Sequence, residues 1–208
     1  IWRSFEKIKI GLKKKIMIII LLGPPGSGKG TQANFIQNKL SIPHLSTGDI
    51  LRQSVKNETD LGNKVKNIMA KGELVSDDLV LNVIKERVSE NDCDQGFILD
   101  GYPRNIIQAK SLSIVLKDID RNIDRILFLD VDFSILQSRI EARSKENNEE
   151  KRADDTSEVL IKRLDEYKAQ TEPLSEYYKN NKKFKKINGM KSISEVSLDI
   201  ENFLDNGI

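Results

Sequence analysis

The chain has 208 residues, 38% hydrophobic and 32% charged, a balance that suits one soluble globular domain with small inserted lobes and excludes a disordered or collagen-like chain. Thirty-four basic residues stand against 32 acidic ones, and the resulting +2 is too even for a nucleic-acid coat or a membrane-surface protein. The best apolar run, residues 16–22, stops at Gly-Pro-Pro-Gly, well short of the roughly 20 residues of a membrane span, so it reads as a strand.

Residues 1–15 hold five lysines, one arginine and one glutamate and are expected to be an extension ahead of the domain, which begins after residue 16. A presequence is the rival reading, although the stretch lacks a long apolar core and a small-residue cleavage site. From Met17 onward, short β-branched runs alternate with stretches of helical period, the mark of parallel βαβ units. Strands are predicted at 17–22, 43–45, 96–100, 125–130 and 184–187. Helices are predicted at 28–39, 76–88, 105–117, 133–144, 157–178 and 192–204. Ser76, Asp77 and Asp78 offer a cap hydroxyl and first-turn acids to the second of these helices. The expected fold is an α/β sheet covered on both faces. Two segments break the rhythm: 47–72, two short helical patterns forming a small lobe, and 144–155, too polar to bury a core and therefore a loop. The one cysteine, Cys93, can form neither an intrachain disulfide nor a multi-cysteine zinc site. That suits a reducing, cytoplasmic setting, and its Asn-Asp-Cys-Asp context predicts a small loop residue.

Gly23-Pro-Pro-Gly-Ser-Gly-Lys-Gly-Thr31 follows the first strand and opens the first helix, where a phosphate loop belongs. Glycines let backbone N–H groups converge on phosphate oxygens, the helix N-terminus adds positive potential, and Lys29 can bridge the outer phosphates. The hydroxyl expected directly after the lysine is displaced: Gly30 stands there and Thr31 follows. Arginines sit in positions from which they could converge on a moving phosphoryl group: Arg104 after a predicted buried strand, Arg139 and Arg143 on one helix face, Arg152 and Arg163 beyond the polar loop.

The phosphate loop, Ser-Thr-Gly-Asp-Ile-Leu-Arg at 46–52, Gly-Glu-Leu-Val-Ser-Asp at 72–77 and Phe-Ile-Leu-Asp-Gly-Tyr-Pro-Arg at 97–104 resemble adenylate kinases in order and spacing, from about Met17 to the C-terminus. The resemblance implies a P-loop NTPase fold with a five-stranded parallel sheet. Its core would be 17–45, 76–143 and 156–208, its AMP-binding lobe 46–75 and its lid 144–155. It also implies the reaction ATP + AMP giving two ADP, with Mg²⁺ carried on ATP, and no zinc.

Carried across by position, Gly26, Ser27, Gly28, Lys29, Gly30 and Thr31 would hold ATP phosphates, and Arg143 would reach ATP from the lid hinge. The Lys191 carbonyl would touch the ATP adenine. Arg52 and Arg104 would bind the AMP phosphate beside Gly101, Tyr102 and Pro103. Arg139, Arg152 and Arg163 would stabilise charge as the lid closes, the last two also near AMP; with Lys29, Arg104 and Arg143 they form the expected catalytic set. Asp100 would orient magnesium through water, while Asp154 and Asp155 match the lid's Asp-Asp pair. Thr47 and Gln108 would face the AMP base, framed by the backbone of Glu73, Leu74 and Val75. An exposed helical amide is the competing reading of Gln108. His44 is expected to be a packing or surface histidine.

The lid departs from the longer form of the family, because eight residues without a cysteine separate Arg143 from Arg152. A UMP/CMP kinase, with the same fold and a similarly short lid, is the nearest alternative. Relatives selective for those acceptors carry a small residue where Thr47 stands, which favours adenine. A nucleotide-binding regulatory module fits the arginine set poorly, and a nucleic-acid-stimulated motor would need a basic track and a larger core. The expected partners are ATP, AMP and ADP, without nucleic acid or membrane, and the expected state is a monomer.

Overall fold

A computed structural model of the chain describes residues 16–140 and 157–205. The first strand, β1 (Met17–Leu22), is aliphatic throughout and buried along its whole length. Such a strand has no solvent face to satisfy, which is the condition at the centre of a parallel sheet. There it lies, in an all-parallel five-stranded sheet of order β2-β3-β1-β4-β5, with β2 (His44–Ser46), β3 (Gly96–Asp100), β4 (Arg125–Asp130) and β5 (Phe184–Asn188). The five-stranded α/β fold expected from the sequence is the one observed.

The two-residue period of β1 divides the interior. Ile18, Ile20 and Leu22 point into one core with Val83 and Ile84 of α4 (Asp77–Val88) and Leu112 and Leu116 of α5 (Ile106–Asp118). Ile19 and Leu21 point the other way, against Ala33 and Ile36 of α1 (Lys29–Leu40) and Val196, Ile200 and Leu204 of α9 (Ile193–Asp205). Helices therefore cover both faces. The chain leaves β1 toward β2 on one side and reaches β4 on the other, so the strand order reverses at β1. Ligands of open α/β sheets bind at the carboxyl ends of the strands where that reversal occurs.

Between β2 and α4 the predicted pair of short helices is present as α2 (Thr47–Lys56) and α3 (Asp60–Ala70). Boundaries elsewhere move by about a residue. The helix predicted at 133–144 opens as a 3₁₀ turn (Phe133–Ile135) and continues as α6, residues 136–140; its remainder lies outside the described residues, as do 1–15 and the whole of the predicted loop 144–155.

One expectation is corrected. The single helix predicted at 157–178 is three pieces: α7 (Ser157–Glu166), a π-helical turn (Tyr167–Thr171) and α8 (Pro173–Tyr178). Pro173 has no N–H to continue the ladder, and the chain widens before it, with the Glu172 N–H donating to the Tyr167 carbonyl at 2.9 Å. Cys93, expected to be a small loop residue, belongs to a short turn. It is fully buried at the end of a 3₁₀ turn (Asn91–Cys93), and burial pushes its thiol up to about 11. Among the described residues no helix is long and apolar enough to cross a membrane.

Gly62 lies inside α3, where alanine would ordinarily gain about 1 kcal/mol of helix propensity. Here a Cβ would stand 2.0 Å from the Ser54 carbonyl oxygen and 2.4 Å from its carbon, because α2 and α3 meet backbone to backbone. Gly62→Ala should therefore destabilise the protein, by about 1–3 kcal/mol in urea denaturation. A variant at or above wild-type stability would show that the contact relaxes at no cost.

Candidate active site

The chain leaves β1 at Leu22 and turns through the glycine-rich loop into α1. Gly28, the residue before α1, has φ 93°, a left-handed backbone that a side chain would strain. No side chain caps this helix, so its first N–H groups face the cleft with the positive end of the helix dipole behind them. The Lys29 ammonium folds back over the loop and donates to the Gly23 and Pro24 carbonyls at 2.8 and 2.9 Å. Beneath it the Ser27 hydroxyl is buried with no hydrogen-bond partner among the described residues. Converging amides, a lysine and an orphaned hydroxyl make an anion cradle.

A cleft of about 750 Å³ opens above this loop. Its walls include Lys29, Asp100, Gly101, Pro103, Arg104, Arg139, Arg163 and Lys191, drawn from five elements or the turns after them. A second cavity of about 60 Å³ is lined by Thr47, Glu73, Leu74, Val75 and Gln108, and shares Arg52, Arg104 and Arg163 with the cleft. Arg104, after β3, donates from Nε to the Gly101 carbonyl at 2.8 Å, and Arg52 donates from Nη2 to Asp49 Oδ1 at 2.5 Å. Thr47, buried at the head of α2, donates from Oγ1 to the same Gly101 carbonyl at 2.9 Å.

Gln108 is not an exposed helical amide. It is buried on α5, its Oε1 accepting from the Arg104 N–H at 2.7 Å and its Nε2 donating to Asp77 Oδ1 at 2.7 Å. Asp77 also accepts from Asn105 Nδ2, at 3.0 and 3.2 Å on its two oxygens. The cap expected from Ser76 is not made, while Asn105 caps α5 by accepting from the Gln108 N–H at 2.8 Å.

Several residues sit otherwise than expected. Tyr102 is fully buried and lines neither cavity; burial, helped by the Asp77 charge, pushes its phenol up to about 12. Arg139 donates from Nη2 to the Gly189 carbonyl at 3.0 Å, toward the β5–α9 turn and away from the mouth of the second cavity. His44, taken for a packing or surface residue, lines the cleft with Nε2 3.1 Å from Asp100 Oδ2. Glu73 pairs with Lys162 of α7 at 2.9 Å, and that hydrogen bond lowers its carboxyl below the usual range. The Lys191 ammonium turns to Asp199 at 2.6 Å, which raises it, leaving the backbone of that turn to face the cleft. Arg143, Arg152, Asp154 and Asp155 lie outside the described residues. Among the described residues no three His, Cys, Asp or Glu side chains gather to hold a metal ion.

Sequence reasoning missed three supporting groups. Thr171, in the π turn, donates to the Arg104 carbonyl at 2.8 Å. Lys162 joins α7 to the wall of the second cavity through Glu73. Gln32 is buried on α1 and donates to the Ile193 carbonyl at 3.3 Å while accepting from Ser197 Oγ at 2.9 Å, so it ties the phosphate-loop helix to α9. A polar residue inside the buried stripe of an amphipathic helix was the available signal for Gln32.

The family model described as Adenylate kinase matches residues 21–183. Among curated proteins, the chain is similar to "Adenylate kinase" of Parvibaculum lavamentivorans, 46% identical over 188 residues, covering 90% of this chain and 92% of the relative. It is also similar to "Adenylate kinase" of Brucella ovis and of Brucella abortus, each 44% identical over 191 residues, covering 90% of this chain and 98% of the relative.

The Gln32 bridge places the β5–α9 turn beside the phosphate loop. Gln32→Leu should weaken binding of a non-hydrolysable ATP analogue about threefold to tenfold by calorimetry, the cost of losing the two hydrogen bonds that tie α1 to Ile193 and Ser197. Unchanged affinity would show that the turn is held by packing alone.

Proposed function

The chain belongs to the adenylate kinase family, and on that premise we propose how its cleft carries the reversible reaction ATP + AMP giving two ADP. The observation that supports the reading most is that Thr47, Arg52, Glu73, Leu74, Val75, Arg104, Gln108 and Arg163 line one cavity whose arginine wall is also a wall of the phosphate-loop cleft. Two nucleotide sites that share their cations bring two phosphate chains end to end.

The donor lies along the loop, its phosphates on the amides of 26–31 and on Lys29, its base between Arg139 and the Gly189–Lys191 backbone. The acceptor lies in the second cavity, its phosphate on Arg52 and Arg104 and its base against Thr47 and Gln108. An oxygen of the AMP phosphate forms the new bond to the γ-phosphorus as the bond to the β,γ-bridging oxygen breaks, and ADP leaves on each side. That oxygen is already ionised near neutral pH, so no base is required. The work is positioning and charge stabilisation. Arg163, with Arg143 and Arg152 of the proposed lid, supplies positive charge to the three equatorial oxygens.

Asp100 is a hard oxygen donor at the cleft end of β3, and a single carboxylate suits an ion that keeps most of its water. With His44 it would hold, through water, the Mg²⁺ carried on ATP, whose contribution is to neutralise phosphate charge.

The proposed division is a core of 17–45, 76–143 and 156–208, an acceptor lobe of 46–75 and a short lid of 144–155, behind an extension of 1–16. Its proposed setting is a cytoplasmic monomer acting on small nucleotides, with no nucleic acid or membrane partner.

Lys29→Met should abolish nearly all ADP formation from ATP, AMP and Mg²⁺, measured by nucleotide chromatography, with little change in melting temperature. Retention of more than about a tenth of wild-type turnover would remove the lysine from the mechanism. Gln108→Leu should lower kcat/KM for AMP about tenfold to a hundredfold in a coupled assay, because a buried base edge loses its partner, while the KM for ATP stays near wild type. A wild type that prefers CMP or UMP would overturn the acceptor assignment.

A further inference from the structure

A glutamine side chain is nearly symmetric in shape, so its neighbours alone decide which end is oxygen and which is nitrogen. Two neighbours decide it for Gln108. The Arg104 backbone N–H can only donate, and it meets Oε1 at 2.7 Å. The Asp77 carboxylate oxygen accepts, and it meets Nε2 at 2.7 Å. Asn105 holds that carboxylate from the other side through Nδ2 and takes the Gln108 N–H on Oδ1. Gln108, Asp77 and Asn105 form a closed ring, joined by the Arg104 N–H, in which every bond agrees with one orientation of the amide. One lone pair on Oε1 and one hydrogen on Nε2 remain for the cavity that Gln108 lines.

We propose that Asp77 is a specificity-positioning residue: it locks the Gln108 amide in the single orientation that matches a 6-aminopurine acceptor and mismatches a 6-oxopurine. The inference rests on the reading above that Gln108 faces the acceptor base. AMP offers a donor at its 6-amino group beside an acceptor at N1. IMP, of nearly the same shape, offers an acceptor at its 6-oxo group beside a donor at N1. A rotatable amide could satisfy either base by turning over. A locked one satisfies AMP and sets like against like for IMP, leaving buried polar groups without partners, which is how a site of fixed donors and acceptors rejects an isostere. Asp77 touches no substrate atom. It lines neither cavity and acts through Gln108.

The test compares kcat/KM for AMP and for IMP at saturating Mg-ATP in wild type, Asp77→Leu, Asp77→Asn, Gln108→Leu and the Asp77→Leu/Gln108→Leu pair, with a melting curve for each. Asp77→Leu should lower the AMP to IMP ratio about tenfold, while the KM for ATP stays near wild type. Asp77→Asn keeps one carbonyl acceptor for two donors and should lower the ratio about threefold; it decides the matter if the leucine variant does not fold. In the Gln108→Leu background, Asp77→Leu should change the ratio less than about twofold, since the group it orients is gone. A folded Asp77 variant with the wild-type ratio, alongside a Gln108→Leu variant that has lost it, overturns the positioning role and leaves the base-reading role standing. A Gln108→Leu variant that keeps the wild-type ratio overturns the base-reading role itself, and this inference with it.

Discussion

Repulsion between two phosphate chains is the constraint on which the rest of this structure depends. Several negative charges within a few ångströms of one another cannot be held together in a partly dry cleft without cations and dipoles fixed on every side. The sheet answers that demand through its topology. Because the strand order reverses at β1, the turn after β1 can open directly into α1, and the strand ends beside it, β3 and β4, hand their following residues to the same cleft. The full burial of β1 on both faces is what holds the loop still enough for its amides to act as a preset cradle.

The segment after the proposed lid serves both sites at once. Arg163 of α7 lines the cleft and the second cavity, and Lys162 beside it reaches Glu73 on the acceptor side. A little further on, the π turn brings Thr171 under the Arg104 carbonyl. An unbroken α-helix would carry residue 171 along a tighter path, so the extra width of the turn is tied to where Arg104 can sit. Any motion of α7 therefore changes the cation wall shared by both nucleotides, which couples access to the donor site with access to the acceptor site.

Much of this was legible in the sequence, and what was not has a common cause. The sheet could be read because its strands are short, aliphatic and separated by helical periods, and the phosphate loop because its glycines and lysine leave few other uses for that spacing. The break at 167–173 was missed because Pro173 is tolerated at the first turn of a new helix, so the periodic pattern ran on across it. The burial of Cys93 was not legible because its polar neighbours describe the turn and not the direction of the thiol. His44 and Asp77 were undervalued because both depend on pairing between elements far apart in the chain: His44 with Asp100 across β2 and β3, Asp77 with Asn105 and Gln108 across α4 and α5. Local pattern carries no information on such pairs. Asp77 had been assigned to the dipole of its own helix, a use that the position permits and the structure supplements.

The remaining feature of the site concerns how cations wait for a ligand. Bonds that hold Lys29, Arg104 and Arg139 end on backbone carbonyls of the very turns that line the cleft, Gly23, Pro24, Gly101 and Gly189. A carbonyl is a neutral acceptor and a phosphate oxygen a charged one, and charge-assisted hydrogen bonds are roughly twice as strong. A phosphate oxygen can thus replace such a carbonyl with a stronger bond. Arg52 is arranged differently, since Asp49 competes for it as a charge at 2.5 Å, on an exposed face where solvent screens the pair. On the proposed assignment the acceptor phosphate competes with Asp49 for Arg52.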